Sequence, residues 1–274
     1  MAKMNKFKRL CADTNVVIGL ALLYEKGERA FINTNIAGRN TRQTLKQYAE
    51  DIATLQHYID KGVVQLVIPP QVMFELRFRE KTIDENGNNV ELSPETVARE
   101  KLKDLTLEYL QKMPTIKVAR ILPQRKIIFE QFTQRLADEY VNTYRIFERN
   151  KMGKTPSDAI IMAQVSALGI DFLSRDRHFQ HKHYLAKCSK AEKISIANKN
   201  LGGRSTKVIA IDDLESVLHH KTEHGVALQK TFKDNQPIAQ CAYINYDEYL
   251  QDKALERQNH MEWLRKYTET PKEM

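Results

Sequence analysis

Val63-Val64-Gln65-Leu66-Val67-Ile68 narrows the choice of fold more than any other segment. It is β-branched and aliphatic with almost no polar face, which predicts a strand buried on both sides. Pro69-Pro70 stops it and opens a helix from Gln71 to about Arg79, because proline lacks the N–H that a ladder needs yet suits a first helical turn. Before the strand, Leu45, Tyr48, Ala49, Ile52, Leu55 and Ile59 recur at helical spacing over residues 41–61. A strand covered on both faces and flanked by helices belongs to a mostly parallel sheet.

The remaining segments keep that alternation. Phe7 to Ala12 reads as a strand ending at Asp13, followed by a buried helix over Val16–Tyr24 and a turn near Gly27. After the polar turn Asp84–Asn89, two helical patterns follow, through Val97, Leu102, Leu105, Tyr109 and Leu110, then Ile128, Phe132, Leu136, Tyr140, Tyr144 and Phe147. Thr155 to Leu168 is a helix closed by Gly169, and Ile170–Ser174 is a strand leading to Asp176. Lys207–Ile211 is the last strand, with a short helix through Leu214, Val217 and Leu218. The expected fold is an α/β/α sandwich in three layers around a mostly parallel sheet. It spans residues 1–219, with a helical insertion over 80–150 and a C-terminal extension, 220–274, that carries an amphipathic helix.

Ligands in such sheets bind beyond the carboxyl ends of the strands. Asp13 and Asp176 each follow a strand, Glu75 lies in the helix after the second strand, and Asp158 opens a helix. Each has a structural alternative: Asp13 as a helix cap, Thr155–Asp158 as a capping box, Asp176 as a turn initiator, and Glu75 as an exposed helical acid. Together, four acids on one edge repel one another unless a cation neutralises them, and oxygen donors favour Mg²⁺ or Mn²⁺ over zinc. Two such ions can activate water against a phosphodiester.

Charge points to a polyanionic partner. The chain carries 43 basic and 35 acidic residues, and the segment 177–207 concentrates eight basic residues against one acid, Glu192. Lys154, Arg175, Arg177, Lys182 and Arg204 are the candidates for holding a nucleic-acid backbone. His178, His181, His183 and Cys188 make a weaker alternative as a zinc site, since no Cys-x-x-Cys or His-x-x-x-His supports it. Cys11, Cys188 and Cys241 are too scattered for a disulfide framework, and no run reaches the ~18–20 apolar residues of a membrane span. The basic N-terminus runs into Asp13 and Asn15 and does not read as a secretory signal, so a reducing cytoplasm is the expected compartment, with no membrane partner.

The chain resembles the PIN-domain nucleases over roughly residues 7–218. The matching pieces are Ala12-Asp13-Thr14-Asn15-Val16-Val17, Pro69-Pro70-Gln71-Val72-Met73-Phe74-Glu75-Leu76, Ser157-Asp158-Ala159-Ile160-Ile161-Met162-Ala163 and Leu173-Ser174-Arg175-Asp176-Arg177-His178-Phe179. The resemblance implies an endoribonuclease in which Asp13, Glu75, Asp158 and Asp176 form the Mg²⁺ or Mn²⁺ site and cut RNA to leave a 5′-phosphate. It implies that Asn15 and Ser174 orient carboxylates or water, and that an antitoxin-like protein inhibitor is a partner, as for toxin members. This chain is about twice the length of the minimal toxins. A PIN-like scaffold that binds RNA or protein without cutting is the first alternative, and a DNA-directed 5′-nuclease the second. For the tail, a homo-oligomer contact, a partner mimic and a stabilising strap all stay open.

Overall fold

The computed structural model describes residues 8–27, 42–79, 91–149, 155–176, 189–200, 206–215, 217–218 and 241–269. In chain order the strands are β1 (Lys8–Ala12), β2 (Val64–Ile68), β3 (Lys117–Ile121), β4 (Asp171–Ser174), β5 (Val208–Ala210) and β6 (Cys241–Ile244). The helices are α1 (Thr14–Lys26), α2 (Arg42–Asp60), α3 (Pro70–Arg77), α4 (Pro94–Lys112), α5 (Lys126–Asn142), α6 (Ser157–Leu168), α7 (Lys190–Asn200) and α8 (Tyr246–Glu269).

The strands form one six-stranded sheet in the order β5-β4-β1-β2-β3-β6, parallel throughout except for β6, which runs antiparallel to β3. Successive strand residues point to opposite faces. Leu10, Cys11 and Ala12 are all buried, as are Leu66, Val67 and Ile68, so both faces of the central strands are covered by helices. This is an α/β fold with the layering of a helix–sheet–helix sandwich. Helices α1, α2 and α4 pack together, and α5 packs on α6 and α7.

Two features of the sheet depart from expectation. The stretch 80–150 is not purely a helical insertion, because it supplies β3 next to β2. Lys117-Val118-Ala119-Arg120-Ile121 places charges at two of its five positions and buries only Val118 and Ala119, so it shows no apolar run. The segment 220–274 holds more than an amphipathic helix: Cys241–Ile244 covers the free edge of β3, in register from Val118 against Ile244 to Ile121 against Cys241.

Local chemistry explains several boundaries. Gly169 takes the left-handed conformation at φ 66° that stops α6, and its N–H reaches the Val165 and Ser166 carbonyls. Ser189 and Glu192 form a reciprocal capping box at α7, with the Ser189 N–H donating to Glu192 at 2.6 Å and the Glu192 N–H to the Ser189 hydroxyl at 3.2 Å. Part of the basic segment is therefore an element of the fold, with Ile194 and Ala197 buried.

Gly19 marks the close approach of α1 and α2. A Cβ there would lie 2.5 Å from the Tyr48 hydroxyl and 2.8 Å from Ile52 Cδ1. Alanine is the better helix former by about 1 kcal/mol, but overpacking of this kind costs about 1–3 kcal/mol. Gly19→Ala should therefore lower the denaturant midpoint in equilibrium unfolding. An unchanged or raised midpoint would show that α2 yields freely.

Candidate active site

All five parallel strands end on the same edge, and the neighbouring ends of β1, β2 and β4 build the site. The register sets Ala12 beside Leu173, and the Asp13 N–H continues the ladder by donating to the Leu173 carbonyl at 3.0 Å. Asp13 thus leaves β1 beside Ser174. It also caps α1, accepting the Thr14 N–H at 2.7 Å, so the structural role open to it in the sequence is one it does fill. The Ser174 hydroxyl donates to its other oxygen at 2.9 Å and itself accepts the Asp176 N–H at 3.1 Å. One serine side chain therefore sets both the first carboxylate and the turn that carries the last.

Glu75 is not an exposed helical acid. It is half-buried, and its two oxygens accept hydrogen bonds from the Thr14 and Ser157 hydroxyls. Ser157 in turn accepts from the Gln71 side chain at 2.8 Å, and the Gln71 backbone N–H donates to Gln164 at 2.8 Å. The cap of α3 is Pro69, which offers no side-chain acceptor, so Gln164 satisfies an N–H that the helix start would leave orphaned. These bonds tie the starts of α1, α3 and α6 together, and Asp13 and Glu75 meet through a single residue, Thr14.

Asp158 sits in the first turn of α6, on the favourable end of the helix dipole, and is exposed. The expected capping box does not form: the Thr155 hydroxyl donates instead to Asp138 at 2.6 Å, and Pro156 is the cap. Asp158 and Asp176 are both near enough to act on Asp13. Burial, reinforced by the negative charges of Asp176 and then Asp158, pushes the Asp13 carboxyl up to about 7, against the opposing hydrogen bonds from Ser174 and Thr14. Among the described residues, no three acidic, histidine or cysteine side chains are gathered closely enough to hold a metal ion as they stand. The donor set is nonetheless all oxygen and strongly anionic, which suits a hard divalent cation.

No family model, curated protein or solved structure matches this chain.

Of the other expected site residues, Arg175 is half-buried with its guanidinium 4.0 Å from the centre of the Tyr48 ring. Burial pushes the Tyr48 hydroxyl well above its ordinary range despite that cation, and the hydroxyl donates to the Asn15 carbonyl at 2.7 Å. Asn15 is exposed and its backbone carbonyl is the Tyr48 acceptor, while the neighbouring Thr14 hydroxyl donates to Glu75. Lys154, Arg177, Lys182 and Arg204 lie outside the described residues, as do His178, His181, His183 and Cys188. Sequence reasoning assigns no role to Thr14, Gln71 or Ser157. Their only signal is their place in the short segments that carry Asp13, Glu75 and Asp158.

Proposed function

We propose that this chain is a metal-dependent endoribonuclease of PIN type. The supporting observation is the condition of Asp13, a carboxylate partly buried at a strand end with two further acids close enough to oppose its ionisation. A folded chain holds such a group where a cation or a proton relieves it. Asp13, Asp158 and Asp176 are the residues that would hold Mg²⁺ or Mn²⁺. When bound, such a cation offsets their repulsion, acidifies water and draws charge from a phosphodiester oxygen.

The chain's own residues position the reaction. Ser174 and the Thr14 N–H fix both Asp13 oxygens, leaving a set direction for the remaining lone pairs. Glu75, clamped by Thr14 and Ser157, is the group to orient the attacking water. Arg175, steadied on Tyr48 and lying between Ser174 and Asp176 in the chain, is the group to meet a phosphate of the RNA backbone. A non-catalytic RNA-binding scaffold is the second reading, favoured by the absence of three gathered ligands among the described residues.

The test is cleavage of a mixed RNA pool in EDTA, Mg²⁺ or Mn²⁺, with Asp158→Asn alongside and product ends mapped. The expected result is cation-dependent cutting to 5′-phosphate ends that the variant loses. Salt-sensitive RNA binding with no cutting in any cation would favour the scaffold.

A further inference from the structure

A concavity away from the carboxylates is lined by Phe74, Arg77 and Phe78. It encloses about 600 Å³ between α3, β3, α5 and α8, within the ~300–1,000 Å³ range of small-molecule sites. Pro70 and Gln164, which anchor the start of α3 beside the carboxylates, also line it. We infer that this cleft is a subsite for single-stranded RNA flanking the scissile phosphodiester, with bases stacked on Phe74 and Phe78 and phosphates held by Arg77, Lys126 and Arg257. The inference rests on the nuclease reading above and deepens it.

Three observations carry it. Phe74 lies on α3 and Phe78 is the extended residue that caps its C-terminal end, their rings 5.6 Å apart, and they are 57% and 51% exposed. Two adjacent open aromatics at the end of a helix form a sequence-tolerant stacking platform, since every base has a π-face. Next, the lining carries six cations against three carboxylates. Two of those carboxylates are already neutralised within the wall, Asp252 by Arg120 at 2.7 Å and Glu256 by Lys253 at 2.6 Å; Glu130 is the third. The hydrogen bond from Lys253, with Lys126 and Arg120 beyond it, holds the Glu256 carboxyl below its ordinary value.

The third observation concerns which cations are left. Arg79 is committed to Glu100 and Asp104 on α4. Arg77, Lys126 and Arg257 form no close ion pair among the described residues, Lys126 acting on Glu256 only at longer range, and Arg77 lies against the Tyr249 ring, 5.5 Å from its centre. An excess of cations beside open aromatic faces matches a phosphodiester chain with unstacked bases better than an acidic peptide, which has no planar face to stack.

The test uses the full chain and a fluorescent 12-mer mixed-sequence RNA, with anisotropy read in EDTA over a salt series so that cleavage plays no part. Phe74→Ala/Phe78→Ala should weaken binding by roughly tenfold or more. Lys126→Gln/Arg257→Gln should weaken it and flatten the slope of log affinity against log salt by about 0.7 for each phosphate no longer held. Both pairs are on the surface of the cleft, and unfolding midpoints report that each variant is folded. Wild-type affinity and salt slope in both folded variants would overturn the subsite while leaving the nuclease reading intact. Failure of the wild-type chain to bind or cut RNA overturns both. Binding of a fluorescent acidic peptide that the cleft variants lose, with no RNA binding, would assign the cleft to a protein partner and overturn the inference.

Discussion

Asp13→Asn should lower cation-dependent RNA cleavage on the order of a thousandfold, equivalent to about 4 kcal/mol of lost transition-state stabilisation, while leaving the protein more stable at pH 8. Loss of activity alone would not separate a catalytic residue from a structural one. The opposed change does. Asparagine caps helices as well as aspartate, and its oxygen still accepts one of the hydrogen bonds that Thr14 and Ser174 now give. What the substitution removes is a negative charge that burial, Asp176 and Asp158 all oppose. The gain at pH 8 should be about 1–3 kcal/mol, less than the full electrostatic relief because one hydrogen bond is sacrificed. Cleavage rates and guanidinium unfolding on the same preparation measure both. An inactive and destabilised variant would show that the Asp13 charge supports the fold, and the opposition of its neighbours to that charge would be refuted.

The second large effect concerns pH. The Asp13 carboxyl ionises at about 7 in the fold against 3.8 in an unperturbed chain. Between those values the native state keeps a proton that the unfolded state has released, so the native state binds more protons and stability falls as pH rises. The contribution is fully present below about pH 4 and is lost as pH passes through about 7, an overall change of about 2–4 kcal/mol. Subtracting the Asp13→Asn curve from the wild-type curve isolates it from the other titrating groups. Mn²⁺ should reverse the trend where the carboxylates are ionised: at pH 8 and a hundredfold excess over its dissociation constant it should add about 2.7 kcal/mol, with little effect at pH 5. A difference curve flat from pH 4 to 8 would show that the acids around Asp13 do not act on it.

The parts of this arrangement that were legible in the sequence are those in which one short segment carries its own signal. Asp13 and Asp176 were visible as acids terminating apolar runs, and the double proline before Glu75 located α3. The holding groups were not visible. Thr14 and Ser157 are sixty-one and eighty-two residues from Glu75, and nothing in either segment shows that both hydroxyls converge on one carboxylate. Capping motifs misled in both directions. Thr155–Asp158 has the spacing of a box, but Thr155 is drawn off to Asp138 on α5, whereas Ser189–Glu192 forms the box and was not singled out. Strand β3 was hidden for another reason: Arg120 projects into the α8 interface, where Asp252 answers it, so a charged residue there is satisfied by a partner far along the chain.

The pairing of β3 with β6 also bears on how the molecule is made. The strand that shields β3 follows α5, α6, β4, α7 and β5 in the chain. During synthesis from the N-terminus, every strand of the parallel sheet has emerged while β3 still presents a bare row of amides and carbonyls. Until residues 241–244 emerge, the nascent chain carries an adhesive edge and a cleft without its α8 wall. Closure of that edge, a contact between segments far apart in the chain, is then a late step, and the interval before it is when a chaperone would have most to do.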